Sequence, residues 1–159
     1  MIYRVHIKFI TNFLGGGPRD KKTQVRLLNR THENHVALHS QDLMKKLKLA
    51  NEHLNAELDI GKFKIPDGFE INHDSVSKLK RVYNKVNIDW FEGIQKGKKI
   101  KLDIMFEDTS DKAPKVEIVS SLFDVIGRFH GISQWGAKFH CGRFKVSKTE
   151  RVTIENYDN

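Results

Sequence analysis

The chain has 159 residues and a mass of 18.5 kDa, a length that fits one domain, residues 1–159, able to bury roughly two-thirds of its unfolded surface. Lysine and arginine number 28 against 20 aspartates and glutamates, giving a formal net charge of +8 and a pI of about 9.6, which points to acidic partners such as nucleic acid. The lone cysteine, Cys141, excludes an internal disulfide framework and a multi-cysteine zinc ribbon. The opening MIYRVHIKFI has no long apolar stretch and no run approaches the roughly 20 apolar residues of a membrane span, so the expectation is a cytoplasmic protein without membrane contact.

Along the chain, Ile2 to Phe9 alternates apolar and polar residues with β-branched and aromatic side chains on one face, which predicts a half-buried strand. The following Gly15-Gly16-Gly17-Pro18, with Arg19, Lys21 and Lys22 behind it, is expected to form a flexible cationic loop. Residues 1–30 hold Arg4, Lys8, Arg19, Lys21, Lys22, Arg26 and Arg30 against Asp20 alone. From Ser40 the period changes to 3.6: Leu43, Leu47, Leu54 and Leu58 interleave with charged residues and predict an amphipathic helix over about 40–58, capped by Ser40 or Asp42. Phe63 to Ile71, two short alternating stretches around Pro66-Asp67-Gly68, reads as a hairpin. A second helix is expected over 75–86, capped by Asp74 or Ser75, with Val76, Leu79, Val82, Tyr83 and Val86 on one face. The adjacent Trp90 and Phe91 are assigned to the core. Ile100, Leu102, Ile104 and Phe106 give the cleanest alternation in the chain and predict a well-covered strand. Pro114 suits the first turn of a helix whose stripe is Val119, Leu122, Phe123, Ile126 and Phe129. Phe144, Val146, Val152 and Ile154 read as a final strand or strand pair, with Glu155 to Asn159 frayed. Strand, helix, hairpin, helix, strand, helix, strand suits an α+β sandwich with helices on one face of a mostly antiparallel sheet, and a ferredoxin-like core fits best.

The strongest local chemical signal runs from Gly127 to Val146. Its glycines, Gly127, Gly131, Gly136 and Gly142, alternate with the cations Arg128, Lys138, Arg143 and Lys145, with His130 and His140, and with Phe129, Trp135, Phe139 and Phe144. Glycines let a backbone approach phosphate closely, cations neutralise its charge and a tryptophan stacks a base. The blander alternative for each residue is a helix C-cap and hairpin loop with Trp135 as a core plug.

Gly142-Arg143-Phe144-Lys145-Val146, preceded by His130-Gly131-Ile132, resembles the carboxy-terminal glycine-rich loop of the RAMP superfamily, the ferredoxin-like RNA-binding subunits of CRISPR effector complexes, and also that of phage-encoded proteins that end similarly. Ile65-Pro66-Asp67-Gly68 before the expected helix at Ser75 is similar to the RAMP segment that precedes its first core helix. The resemblance implies a RAMP-like fold with the glycine-rich loop placed between a helix and the last strand, and RNA as ligand.

Of eight histidines, His32, His35 and His39 fall at i, i+3 and i+7, a spacing that can hold zinc on a helix. Nothing local supplies a fourth ligand, so neither metal nor cofactor is expected. The carboxylates of Asp103, Glu107, Asp108 and Asp111 could gather a magnesium ion, and Asp103 and Glu107 share a strand face, but the Glu-x-Lys partner of a magnesium nuclease is absent, so a solvated strand edge and acidic loop is the reading taken. No GxxxxGK[ST] or GxSxG motif occurs. The function expected is non-enzymatic binding of single-stranded or structured RNA or DNA, with Arg19, Lys21, Lys22, Arg128, Lys138 and Arg143 on phosphates and Trp135 stacking. Two alternatives are a protein-interaction module or inhibitor of a host nucleic-acid enzyme, and a metal-independent ribonuclease using His130 or His140.

Overall fold

The computed structural model describes residues 1–28, 30, 37–38, 40–65, 69–70, 75–83, 85–109, 111–132 and 141–153. In chain order the elements are β1 (Ile2–Phe9), β2 (Phe13–Leu14), β3 (Ala37–Leu38), α1 (Ser40–Leu54), β4 (Phe63–Lys64), β5 (Phe69–Glu70), β6 (Ser77–Tyr83), β7 (Asn87–Ile94), β8 (Lys99–Phe106), α2 (Val116–Val125) and β9 (Phe144–Val152). The alternation of β1 and β8 does what the sequence predicts. Tyr3, Val5, Ile7 and Phe9 point one way with Leu102, Ile104 and Phe106, all buried, and meet Leu43, Leu47 and Ala50 of α1 and Val119, Leu122 and Phe123 of α2 in one core. Burying each such side chain contributes about 1.5–3 kcal/mol, which outweighs the weak intrinsic preference of any one segment. The main sheet is antiparallel, in the order β4-β8-β1-β9. Two interleaved units, β1-α1-β4 and β8-α2-β9, build it, which is the ferredoxin-like α+β arrangement expected.

Three expectations are corrected. The stretches around Pro66-Asp67-Gly68 do not pair with each other: β4 adds to β8, Phe63 opposite Phe106, and β5 pairs with β3. A buried edge-to-face contact between the Phe63 and Phe106 rings, 4.9 Å between centroids, holds β4 on the main sheet; residues 66–68 lie outside the described set. Nor is the segment around 75–86 a helix. Ser77–Tyr83 is strand β6, paired with β7 in register from Ser77 opposite Gly93 to Tyr83 opposite Asn87, in a second sheet ordered β2-β7-β6. The helical stripe misleads because Val82 and Val86 stay in solvent, 52% and 80% exposed, while Leu79 packs from the other face of the strand on the small core of Leu14, Phe91 and Cys141. Lys85, at φ 63°, supplies the left-handed turn that joins the strands. Of the aromatic pair, Phe91 is buried as expected, but Trp90 is 41% exposed.

Among the described residues, no helix packs on the far face of the main sheet. On it Arg4, His6 and Lys8 of β1 stand between Asp103, Lys101 and Lys99 of β8 and Glu150, Lys148 and Lys145 of β9. Arg4 is bonded to Asp103 through two 2.9 Å contacts. Between His6 and Ile7 the β1–β9 register shifts, leaving Ser147 as an extra residue whose Oγ donates to the His6 carbonyl at 3.2 Å.

Candidate nucleic-acid interface

The glycine-rich segment begins inside secondary structure. After α2 the chain makes one π-helical turn, Ile126–His130, closed by the Gly131 N–H donating to the Ile126 carbonyl at 2.7 Å. A Cβ on Gly127 would lie 2.4 Å from the Phe144 carbonyl oxygen, and one on Gly131, at φ +68°, 2.4 Å from that of Cys141. These glycines therefore serve the close approach of the α2 end to the start of β9. There the two ends of the segment meet in a neck: Ile132 N–H donates to the Gly142 carbonyl at 3.1 Å, and Gly142 N–H to that of Asn12 at 2.8 Å. Arg143 is tied in on both sides, its N–H donating to Thr11 Oγ1 at 2.9 Å and its carbonyl accepting from Ile10 N–H at 2.9 Å. Its Nε is buried and has no hydrogen-bond partner among the described residues. Trp135, Lys138 and His140 lie outside the described residues.

The triple-glycine run is not an open loop. Gly15 and Gly17 are buried, their N–H groups donating to the carbonyls of Glu92 and Leu27, each at 2.8 Å. A Cβ on Gly15 would come within 2.7 Å of the Leu27 oxygen, so the glycines are required by backbone packing rather than by freedom. The cationic turn follows it. Asp20 Oδ1 accepts from the Lys22 and Thr23 N–H groups at 2.9 Å, bonds that hold its carboxyl below the usual carboxylate range, and this turn presents Lys21 and Lys22 to solvent. Arg19 braces the turn against β7 through bonds of 2.6 and 2.8 Å to the two Asp89 oxygens, and Arg26 Nε lies 3.8 Å from Oδ2. The Arg19 hydrogen bonds depress the Asp89 pKa.

The sequence assigns one nucleic-acid ligand to both glycine segments, and the fold ties the described end of one to the connection that leads into the other. The Asn12–Gly142 bond links the neck to the β1–β2 connection, and Cys141 packs with Leu14, Phe91 and Leu79 in a small core between the two sheets. Burial pushes the Cys141 thiol up, with Arg81 acting weakly the other way.

Arg128 is exposed and pairs with Asp124 one turn earlier at 3.0 Å. Beside it Phe129 is 51% exposed, its ring 5.5 Å from that of His53, at the mouth of an open cleft of about 480 Å³ between the ends of the two helices. His130 is half-buried; burial, then Lys46 and His53, lower its pKa, which favours a neutral ring at pH 7. The acids considered as magnesium ligands are engaged elsewhere: Asp103 holds Arg4, Asp108 holds Lys62 at 2.7 Å, and Glu107 lies 3.8 Å from Lys64 Nζ. His32, His35 and His39 lie outside the described residues. Two features escaped the sequence reading: the charged open face of the main sheet, and the outer face of β6–β7, where Lys78 Nζ sits 4.8 Å from the Trp90 ring centre. Both depend on cross-strand register, which no linear spacing encodes.

No protein-family model matches the chain, and no curated protein does. Among solved structures it is similar, at a TM-score of 0.63 and 12% identity, to a chain in the cryo-EM structure of the type III-B Cmr-beta bound to cognate target RNA. The match covers 94% of this chain and 59% of that one, so the protein spans less than two-thirds of the length of its structural neighbour. That likeness, together with the sheet order, shows the ferredoxin-like α+β fold.

Proposed function

We propose that the protein is a non-enzymatic nucleic-acid-binding protein that holds a strand of RNA across the junction of its two glycine segments, within a larger assembly. The observation that carries the reading is the meeting of those segments at the Asn12–Gly142 bond, 2.8 Å, which sets Arg143 beside the connection leading to Lys21 and Lys22. Lys21, Lys22, Arg128, Lys138 and Arg143 contact phosphates, Trp135 stacks a base, and Arg19 holds the cationic turn in place. The charge balance of the chain and its likeness to a structure solved with target RNA support the same reading. The test is fluorescence anisotropy with labelled single-stranded RNA, single-stranded DNA and duplex DNA over a salt series in EDTA. Tight binding with a steep salt dependence, strongest for RNA and weakened in the Lys138→Ala, Arg143→Ala double variant, is expected. No binding at low salt overturns the proposal.

A second reading, a protein-contact role, draws on the outer face of β6–β7. Val82 and Ile88 stand opposite each other there with Trp90 on the next level, all more than 40% exposed, an apolar patch that fits a protein partner. Under this reading Val82→Thr with Ile88→Thr leaves the melting temperature unchanged and removes association with the partner.

A further inference from the structure

The open face of the main sheet changes character from one end to the other. At one end Arg4 stands between Asp103 and Glu150, cation flanked by anions. In the middle His6 stands between Lys101 and Lys148, partly balanced by Glu150, which accepts from Lys148 at 2.7 Å and from His6 at 3.0 Å and is held at about 2 by these partners. At the far end Lys8 has Lys99 directly opposite on one side and Lys145 directly opposite on the other. Lys8, Lys99, Lys101 and Lys145 are exposed and form no ion pair with any described residue. Like charges directly opposite on adjacent strands destabilise a sheet. Three in one row, at the far end of a face whose other end sets a cation between anions, is an arrangement that a bound polyanion relieves.

We propose that this lysine end of the sheet is a second, base-independent contact for the phosphate backbone of a nucleic-acid strand. The proposal rests on the nucleic-acid reading above and extends it, because the row adjoins the neck: Lys145 is two residues after Arg143, whose carbonyl bonds Ile10, two residues after Lys8. The turn that ends at Lys99 is fixed to the same place by Gly97 N–H donating to the Phe9 carbonyl at 2.7 Å. A strand leaving the neck passes directly onto the row. Chemistry favours phosphate over an acidic protein as the occupant. All four unpaired groups are lysines, flexible point charges that neutralise phosphates without a fixed bonding geometry, and a backbone strand offers such charges at regular intervals. Strands about 4.8 Å apart spread the row over roughly 10 Å, a track for successive phosphates. Lys8 faces lysines on both sides, Lys99 and Lys145, so this end of the face meets the charge of a backbone rather than the edge of a base.

The experiment compares the parent with Lys8→Ala, Lys99→Ala, Lys145→Ala combined, and with a control of equal charge loss on the helical side, Lys45→Ala, Lys48→Ala, Lys115→Ala. Each is titrated with labelled single-stranded RNA of mixed sequence over a salt series. Three phosphates lost from a single strand lower the slope of log K against log salt by about 2, which is about 100-fold in affinity at 0.1 M salt for lines that converge near 1 M. The control keeps the slope of the parent within about one unit. Relief of the like-charge row leaves the sheet-face variant at least as heat-stable as the parent, which separates lost contact from lost fold. Parent binding with equal slopes for the two triple variants overturns this proposal and leaves the nucleic-acid reading standing. A parent that binds nothing at low salt overturns that reading. If poly-glutamate of matched charge binds the parent as tightly as RNA and weakens as much in the sheet-face variant, the surface serves acidic proteins and the proposal falls.

Discussion

Gly127→Ala tests the claim that glycine in the carboxy-terminal segment is there for packing. The new Cβ would sit 2.4 Å from the Phe144 carbonyl oxygen and 2.6 and 2.8 Å from two carbons of its ring, where ordinary contacts begin near 3.5 Å. The ring cannot swing aside, since Phe144 is fully buried and packs edge-on against Phe9 at 6.4 Å. The end of α2 and the start of β9 must therefore separate by about 1 Å, and overpacking against backbone costs toward the upper part of the usual range of about 1–3 kcal/mol. Alanine returns up to about 1 kcal/mol through helix propensity and a less flexible unfolded chain. The net loss is about 2 kcal/mol, which for a chain of this length lowers the melting temperature by about 4–8 °C. Scanning calorimetry on the parent, Gly127→Ala and the control Ser121→Ala decides the matter. Ser121 is exposed and its hydroxyl donates to the Glu117 carbonyl one turn back, so its variant stays within about 0.5 kcal/mol of the parent. A Gly127→Ala protein that melts within 1 °C of the parent would falsify the packing argument.

Asp89→Asn removes the anion that Arg19 grips with two hydrogen bonds. As an exposed-type pair it contributes about 0.2–1 kcal/mol, so the variant melts about 1–3 °C lower at pH 7. Pairing depresses the folded-state pKa of Asp89 below the unfolded value of about 3.9; the contribution is complete above that value and is lost as the pH falls through the depressed one. The gap between parent and variant should close on acidification, and a gap unchanged at pH 2 would show that the ion pair is not its source. Cys141 is buried and its thiol is pushed up, so at pH 8 it should react with a disulfide reagent far more slowly in the native protein than in denaturant. Equal rates would mean that the small core between the sheets does not close over it.

Strands β1 and β8 and both helices were legible because each buries a stripe against a single core, although the helical stripes stop short of expectation: Leu54 and Phe129 are exposed and Leu58 lies beyond α1. Strand β6 was not legible for the converse reason. Val82 and Val86 look like a core stripe but face solvent, and what makes the segment a strand is its cross-strand pairing with β7, which no local period encodes. The local turn signal at Pro66-Asp67-Gly68 was outcompeted by long-range pairing, Phe63 finding Phe106 some forty residues on. At the site, the sequence identified glycines and cations but misread the role of Gly15 and Gly17, because a close approach to Leu27 and Glu92 exists only once those strands are laid side by side. The lysine row was hidden for the same reason: Lys8, Lys99 and Lys145 are distant in the chain and become neighbours only through register.

The extra residue in β9 bears on how this protein can change length without changing fold. Ser147 lies between Val146, opposite Ile7, and Lys148, opposite His6, and occupies no paired position of its own. Removing it closes the bulge while every other side chain of the strand keeps its face, at the cost of one 3.2 Å contact to the His6 carbonyl. A regular strand offers no such place, since losing one residue transposes the inward and outward sets of everything beyond it. The bulge is thus a length reserve, the position in β9 at which a single codon can be lost from a descendant sequence while its core and its charged face both persist.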